Sequence, residues 1–309
     1  MKTIEKYGVT LYVYPKSKYK SYEIEHKMIY FPNDVEIEGD LVVDYYFAEG
    51  SIEITGNDTT THWQEVRGNQ KVDRSQEVGG WQKVGGWQNV TLSQRIRLYQ
   101  IIDEWQKIGR WQMVNWNQYI GKWQNIGLWQ RIDWWQEIGM YQEVGEHQII
   151  GEWQDIGESQ EIGWWQRVDK QQKIGEYQEV GQYQIIGGVQ KIGGYQKVNE
   201  YQEIGESQEI GGYQEIGKYQ KIEGHHKVRK YISVGYYSIS QSIECGDNYS
   251  ISIGLDYPED EREKAVLITR EPVKCRVLTG RVNPPIEEIY EIKNKYLKEK
   301  ILEAGGYKK

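Results

Sequence analysis

Residues 63–230 consist of a six-residue unit that is repeated twenty-eight times without an insertion or a deletion. The unit reads aromatic, Gln, polar, Ile or Val, Gly, variable, as in Trp105-Gln-Lys-Ile-Gly-Arg110. Its second position is Gln in twenty-seven copies, with His226 as the exception, and its fourth position is Ile or Val in all twenty-eight. Such regularity requires one local geometry that the chain uses again and again.

The six-residue period argues against a helix and predicts short strands. Six residues do not match the 3.6-residue turn of a helix, and β-branched residues alternating with Gly disfavour one. Because alternate side chains of a strand share a face, the second and fourth positions should be inside and the mostly charged third position in water. Gly fills the fifth position in seventeen copies and Asp or Asn in six, so we expect a bend there with positive φ.

The exceptions to the repeat indicate how many hexads form one coil of a solenoid. Of the ten first positions that are neither Trp nor Tyr, five are separated by multiples of eighteen residues, namely Asn117, Gln171, Val189, Ser207 and His225. Three hexads per coil would give about nine coils stacked at roughly 4.8 Å. The predicted fold class is therefore all-β, a single-stranded β-solenoid with an N-terminal β cap and a C-terminal α/β cap that includes one helix.

A buried Gln in nearly every hexad needs a hydrogen-bond partner, because an unpaired buried amide costs a few kcal/mol. Amides that repeat at the coil spacing can donate and accept along a column. We therefore expect ladders of Gln inside the solenoid, beside ladders of Ile and Val.

The segment Ile108-Gly109-Arg-Trp-Gln112 places an aliphatic residue, then Gly, then an inward-facing residue four positions after the aliphatic one. Over residues 63–230 this frame resembles the hexapeptide-repeat, left-handed β-helix superfamily. The resemblance implies a left-handed coil and, as an alternative function, acyl transfer with a His base. The chain departs from the family by having Gln where a small residue is usual, which leaves a right-handed coil with a wider interior open, and by having no loop inserted between repeats.

Four regions follow from these patterns: residues 1–62 as the N-terminal β cap, 63–230 as the solenoid, 231–283 as terminal coils and strands, and 284–309 as a C-terminal helix and tail. Pro284-Pro285 precedes an amphipathic stretch from Ile286 to Glu303, which is typical of a helix.

Composition excludes several classes of partner. Residues 63–230 contain twenty Lys or Arg and twenty-two Asp or Glu, so no basic track for nucleic acid is expected. No run approaches eighteen apolar residues and no hydrophobic signal core is found, so we expect no membrane partner and synthesis in the cytoplasm, with the final location there or on a particle or cell surface. Cys245 and Cys275 are too few for a disulfide framework.

With eighteen-residue coils, the aromatic first positions align in outward columns, and such exposed rows are unusual on a soluble monomer. The candidate ligand-binding residues are Trp87, Trp105, Trp123, Tyr141, Tyr177, Tyr195 and Tyr213 in one column, and Trp111, Trp129 and Trp165 in its neighbour. Three interpretations stay open. The rings could stack on the sugars of a glycan, stabilise neighbouring coils by roughly 0.5–1.5 kcal/mol per pair, or bury against another chain.

Catalytic and metal-binding patterns are sparse. The repeat contains His147, His225 and His226 but neither the ligand spacing of a metal site nor a cofactor-binding motif. The sequence favours a non-enzymatic, rigid β-solenoid without a cofactor, which acts as a structural spacer or adhesion module, as on a phage or cell-surface fibre, with a glycan or a protein surface as partner. The alternatives are a self-assembling cytoskeletal or scaffold protein, which would form homo-oligomers, and a hexapeptide-repeat acyltransferase.

Overall fold

The computed structural model describes residues 2–217 without a gap, and beyond them the segments 219–222, 224–229, 232–234, 237–240, 242–245, 250–253, 266–269, 276–279 and 281–282. The predicted helix at 286–303 and Cys275 lie outside the described residues. The chain divides into two compact units, Met1–Gly157 and Glu158–Lys309, here called the first and the second unit.

The first unit is built from short strands. They are β1 (Thr3–Lys6), β2 (Val9–Val13), β3 (Lys18–Lys20), β4 (Met28–Phe31), β5 (Val35–Glu38), β6 (Leu41–Ala48), β7 (Ile52–Ile54), β8 (Asp58–Val66), β9 (Gln70–Val72), β10 (Gln76–Val78), β11 (Gln82–Val84), β12 (Gln88–Val90), β13 (Ser93–Ile96), β14 (Gln100–Ile102), β15 (Trp105–Ile108), β16 (Trp111–Val114), β17 (Gln118–Ile120), β18 (Trp123–Ile126), β19 (Trp129–Ile132), β20 (Trp135–Ile138), β21 (Tyr141–Val144), β22 (His147–Ile150) and β23 (Trp153–Ile156).

The described part of the second unit continues in the same way. Its strands are β24 (Ser159–Ile162), β25 (Trp165–Val168), β26 (Gln171–Ile174), β27 (Tyr177–Val180), β28 (Tyr183–Ile186), β29 (Gln190–Ile192), β30 (Tyr195–Val198), β31 (Tyr201–Ile204), β32 (Gln208–Ile210), β33 (Gln214–Ile216), β34 (Tyr219–Ile222), β35 (His225–Val228), β36 (Ile232–Val234), β37 (Tyr237–Ser240), β38 (Ser242–Cys245), β39 (Ser250–Ile253), β40 (Val266–Thr269), β41 (Arg276–Thr279) and β42 (Arg281–Val282).

Helical structure is scarce in the described part of the chain, where a 3₁₀ turn at Ser21–Glu23 is the one helical element. Among these residues no helix has the length and hydrophobicity that crossing a membrane would require.

Repeat strands three apart pair in parallel, which confirms the eighteen-residue coil. Gln88 lies opposite Gln106 in the first unit, and Gln178 lies opposite Gln196 in the second. Each unit is a parallel β-solenoid with three hexads per coil. In the repeats of the first unit, face one contains the end of β8 with β11, β14, β17, β20 and β23; face two contains β9, β12, β15, β18 and β21; face three contains the start of β8 with β10, β13, β16, β19 and β22.

The chain enters the first unit through an antiparallel hairpin. β1 pairs with β2 across Tyr7 and Gly8, whose φ values of 51° and 76° are those of the tight turn that suits the twist of a hairpin. From β2 onward the pairing is parallel, through β4 and β6 to β8. Leu41 lies opposite Asp58, seventeen residues later, whereas Tyr45, beyond a register shift in the same strand pair, lies opposite Trp63, eighteen residues later.

The interior contains the side chains that the alternation predicts. Gln130 and Ile132 are both 0% exposed, and the Gln and Ile or Val positions of the other described hexads are buried to a similar degree. Each fully buried aliphatic side chain stabilises the fold by roughly 1.5–3 kcal/mol. The third positions face outward, as expected.

The bend lies where the sequence predicts it, but the expected positive φ was wrong. Among the described glycines, Gly8 and Gly39, both before the repeat, have positive φ, and no repeat glycine does. Where the fifth position is Gly, the coil before it lies close enough to leave little room for a side chain. A Cβ on Gly109 would clash with the carbonyl oxygen of Thr91, and one on Gly127 with that of Gly109, in each case eighteen residues earlier.

Candidate functional site: aromatic columns and an interior amide array

The aromatic column of face two is a stack of parallel rings. The ring centroids of Trp87 and Trp105 are 5.1 Å apart with planes 8° apart, and those of Trp105 and Trp123 are 5.0 Å apart with planes 6° apart. Tyr141 follows Trp123 in register. Because Trp105 has a neighbouring ring on each side, it presents its edge to solvent and not its flat face.

The column of face three has a different ring geometry. Trp111 and Trp129 meet edge to face, with centroids 6.5 Å apart and planes at 73°. Trp111 is 39% exposed, and His147 follows Trp129 in register. An edge-to-face pair leaves ring surface that a flat ligand can reach, which a parallel stack does not.

In the second unit the predicted residues again form stacks. Tyr177 and Tyr195 are 5.4 Å apart at 9°, while Trp165 lies in register with Tyr183. The Tyr195 hydroxyl donates to Glu215 Oε2 at 2.7 Å, and burial together with this bond raises the pKa of Tyr195. Tyr213 is 46% exposed.

Sequence reasoning missed a group of exposed apolar residues, five of which occupy third and sixth positions while Tyr99 occupies a first position. It lies on face one of the first unit and at the corner that precedes this face, and it consists of Leu98, Tyr99, Ile101, Trp116, Tyr119 and Trp134. Trp116 stacks on Trp134, with centroids 5.3 Å apart and planes at 5°, and meets Tyr99 edge to face at 5.8 Å. The eighteen-residue spacing of Leu98, Trp116 and Trp134 was the signal that could have revealed it.

Inside each unit the Gln side chains form a hydrogen-bonded network. Gln112 Nε2 lies 2.7 Å from Gln94 Oε1, 2.9 Å from Gln100 Oε1 and 2.9 Å from Gln106 Oε1. These acceptors are eighteen, twelve and six residues earlier. The ladders along each column are therefore as predicted, and further bonds link the three columns at the centre of every coil. We call this network the amide array.

The amide array has a direction. In the Gln–Gln hydrogen bonds of both units, a later nitrogen donates to an earlier oxygen, as from Gln130 to Gln112 at 2.9 Å and from Gln196 to Gln178 at 2.9 Å. Backbone bonds between coils run both ways, since Gln82 N–H donates forward to Tyr99 and Gly85 N–H donates back to Val66. The backbone dipoles therefore largely cancel, whereas the side-chain amide dipoles add.

Asp58 lies at the start of the array in the first unit and is completely buried. Its Oδ2 accepts from Tyr46 Oη at 3.0 Å, Gln70 Nε2 at 3.2 Å and Gln76 Nε2 at 2.9 Å, and its Oδ1 accepts from Thr60 Oγ1 at 3.2 Å. Burial raises the pKa of Asp58 to about 6, and these donors act against that rise. At neutral pH Asp58 is thus a carboxylate, which can only accept, so the nitrogens of Gln70 and Gln76 face it, whereas Gln64 accepts from Thr60 Oγ1 at 3.0 Å through its Oε1.

His226 occupies a Gln position of the array in the second unit, opposite Gln208. It is 1% exposed, and among the described residues neither ring nitrogen has a hydrogen-bond partner. Gln214 Oε1 likewise lacks a donor there, whereas Gln220 Oε1 accepts from Ser238 Oγ at 2.9 Å. Burial lowers the pKa of His226 to about 3, so its ring is neutral near pH 7.

The outer surface is charged but balanced. Third positions one coil apart form ion pairs, such as Lys71 with Glu53 at 2.5 Å and Lys197 with Glu179 at 3.0 Å. Exposed pairs of this kind contribute about 0–1 kcal/mol each, so they help the register more than the stability. Within the described ranges, His, Cys, Asp and Glu side chains form no group of three that could hold a metal ion.

Comparison of the chain with protein-family models, with curated proteins and with solved structures gave no match. The parallel β-solenoid is shown by the strand pairing. Membership of the hexapeptide-repeat superfamily and the left hand of the coil stay predictions.

Proposed function

We propose that the chain is a non-enzymatic, rigid β-solenoid that serves as a structural spacer, as in a fibre on a particle or a cell surface. The observation that carries this proposal is the parallel stack of Trp87, Trp105 and Trp123. Flat ring faces that would bind a sugar are occupied by rings of the next coil, so the most regular aromatic column serves cohesion between coils.

Within each unit three kinds of contact join successive coils: the backbone ladder, the amide array and, where rings adjoin, the aromatic stacks. The amide array lies in a dry interior, where each separated amide would cost a few kcal/mol. Bending or stretching a coil stack would strain all three contacts together. Stiffness is therefore the mechanical property that this arrangement favours.

Single-molecule stretching of the full chain, held by handles at its two termini, tests the proposed spacer function by measuring the force needed to extend the solenoid. We expect extension in discrete steps, each releasing about one coil, and a lower unfolding force for Trp105→Ala. Tyr22→Ala is the matched control, because Tyr22 is 75% exposed and outside the repeat. Smooth extension at low force, as for a flexible linker, would contradict the proposal.

A second candidate function is adhesion to a glycan through face three, and the edge-to-face pair of Trp111 and Trp129 favours it. Many weak contacts along a polymer would supply the affinity. A glycan screen followed by calorimetry tests it: Trp111→Ala should lose binding while Trp105→Ala keeps it. A screen without a ligand, or binding that survives Trp111→Ala, would exclude this candidate.

A further inference from the structure

The apolar patch on face one of the first unit is separate from the aromatic columns that carry the proposed function. Its six residues, Leu98, Tyr99, Ile101, Trp116, Tyr119 and Trp134, are 36%, 40%, 38%, 41%, 38% and 50% exposed. Ring contacts join Tyr99, Trp116 and Trp134, and Ile101 lies opposite Tyr119 in adjacent strands. Contiguous exposed apolar surface of this kind marks an interaction site.

The charges that flank the patch point to its partner. Down the middle of face one, the third positions read Lys83, Ile101, Tyr119 and Glu137 in four successive coils. A cation therefore lies at one end of the apolar pair and an anion at the other. When a second copy of this row is turned end for end, its Glu lies opposite Lys and its Tyr lies opposite Ile, so the row is complementary to a reversed copy of itself.

We propose that face one binds face one of a second copy of this chain, with the two coil stacks antiparallel. A two-fold axis along the strand direction, midway between Ile101 and Tyr119, brings Ile101 of each copy onto Tyr119 of the other. The same axis brings Lys83 of each copy to the level of Glu137 of the other. The Ile101–Tyr119 contact and the Lys83–Glu137 ion pair thus each occur twice in an isologous dimer.

The corner that precedes face one has matching shapes under the same axis. Its sixth positions are Gly80, Leu98, Trp116 and Trp134 in successive coils. Because this axis preserves the strand direction, the corner meets the same corner of the second copy. The half-exposed Trp134 then projects at the level of Gly80, and Leu98 lies at the level of Trp116.

Other pairings of the same face fit less well. A two-fold axis parallel to the coil stack would place Lys83 beside Lys83 and Glu137 beside Glu137, which is unfavourable. Centring the axis on Tyr119 would bring Ile101 to the level of Glu137. In the antiparallel dimer Glu65 and Asp155 share a level, but Glu65 is 7% exposed and is already paired with Lys6 at 3.4 Å.

The size of the face sets the expected strength. Because the coil of Glu65 is covered, five coils at about 4.8 Å and five residues at about 3.3 Å give a plane of roughly 400 Å². A standard interface buries about 800 Å² on each partner, so we expect a weak and reversible dimer that is observed only at high concentration.

Sedimentation velocity of the full chain over a wide concentration range tests the proposal. We expect a monomer–dimer equilibrium that Lys83→Glu weakens on the order of tenfold, since it replaces two attractive pairs with two repulsive ones. Glu137→Lys should do the same, and the double variant should restore the wild-type equilibrium. Lys107→Glu on face two is the matched control and should leave the dimer unchanged, with circular dichroism confirming that each variant folds.

Restoration by the charge swap distinguishes the antiparallel dimer from any other association. A chain that stays monomeric at every concentration would overturn the proposal, whether face one is covered by another segment of the same chain or binds a glycan. So would a dimer that is insensitive to both single variants, or one that Lys107→Glu weakens as much as Lys83→Glu does.

Discussion

Asp58 and His226 are both fully buried, ionisable residues that face the amide arrays, and their surroundings are opposite. Asp58 in the first unit accepts four hydrogen bonds, whereas His226 in the second unit lies among described residues that give it none. The contrast shows that an oriented array has two unlike ends. In the first unit the donor end of the array is satisfied by a carboxylate, as a helix N-terminus is, while in the second unit the unpaired Gln214 Oε1 requires a donor.

The largest effect is expected from Asp58→Leu, which leaves Tyr46 and Gln76 without an acceptor, whereas Thr60 can still donate to Gln64 Oε1 and Gln70 to Tyr46 Oη. Unpaired buried donors cost about 1–3 kcal/mol each before relaxation, so we expect a local loss of roughly 3–5 kcal/mol. Hydrogen exchange of β9 and β10 measures it, because repeat proteins open locally. Asp58→Asn keeps one acceptor oxygen and should lose clearly less; equal protection in wild type and Asp58→Leu would refute the capping role.

Acid should destabilise the second unit through His226. The folded pKa of about 3 lies below the unfolded value near 6.5, so the unfolded chain binds more protons, and stability falls as pH decreases below 6.5. Between pH 6.5 and 4.5 the loss is about 3 kcal/mol. The exchange protection of β35 in wild type and in His226→Gln, compared at the two pH values, isolates this contribution; a pH-independent difference would contradict it.

The contribution of Asp58 to stability should change with pH in the opposite direction to that of His226. Its folded pKa of about 6 lies above the unfolded value near 3.9, so the folded chain binds more protons between these values. Its contribution is therefore largest below pH 4 and decreases by about 3 kcal/mol as pH rises to 6. The stability of wild type relative to Asp58→Asn, measured at β10 across this range, should decline with rising pH. A rise would show that the four donors outweigh burial.

At neutral pH, His226→Gln should stabilise the second unit. A Gln at this position could donate to Gln208 Oε1, eighteen residues earlier, and to the unpaired Gln214 Oε1, twelve residues earlier. Satisfying these groups is worth about 1–3 kcal/mol. Exchange protection of β32 and β33 should increase. His226→Leu, which removes the buried ring nitrogens without adding a donor, serves as the control and should gain less.

The smallest effect is expected at the aromatic columns. Trp105→Ala breaks two parallel contacts and Trp111→Ala one edge-to-face contact, at about 0.5–1.5 kcal/mol per contact beyond the lost area. We expect Trp105→Ala to cost more, by about one such contact, in exchange protection of β15 compared with β16. A larger loss for Trp111→Ala would mean that parallel stacking does not hold the coils together.

The sequence was sufficient for features that recur in each hexad. The alternation of side chains placed Gln130 and Ile132 inside. The first positions that are neither Trp nor Tyr revealed the eighteen-residue coil. It was not sufficient where a residue depends on the coil before it, as with the clash between Gly109 and Thr91 that explains the glycine. Ring orientation in the columns depends on side-chain torsion angles, so the sequence does not distinguish parallel pairs of rings from edge-to-face pairs.

The direction of the array and the patch on face one escaped prediction for other reasons. Asp58 lies one coil before Gln76 in the same column, but the hexad pattern is absent around it, so the sequence did not reveal that it fixes which way the amides point. Leu98, Ile101 and Trp134 occupy variable positions, which are usually solvated, and their clustering follows only from the stacking of coils.

Neutron diffraction from crystals of the deuterium-exchanged protein tests the oriented array most directly, because it distinguishes the ND₂ group of Gln from its oxygen, which X-rays at ordinary resolution do not. We expect the nitrogens of Gln70 and Gln76 to face an unprotonated Asp58, and each later amide to point its nitrogen toward earlier coils. Amides of mixed direction, or oxygens that face a deuterated Asp58, would contradict the account.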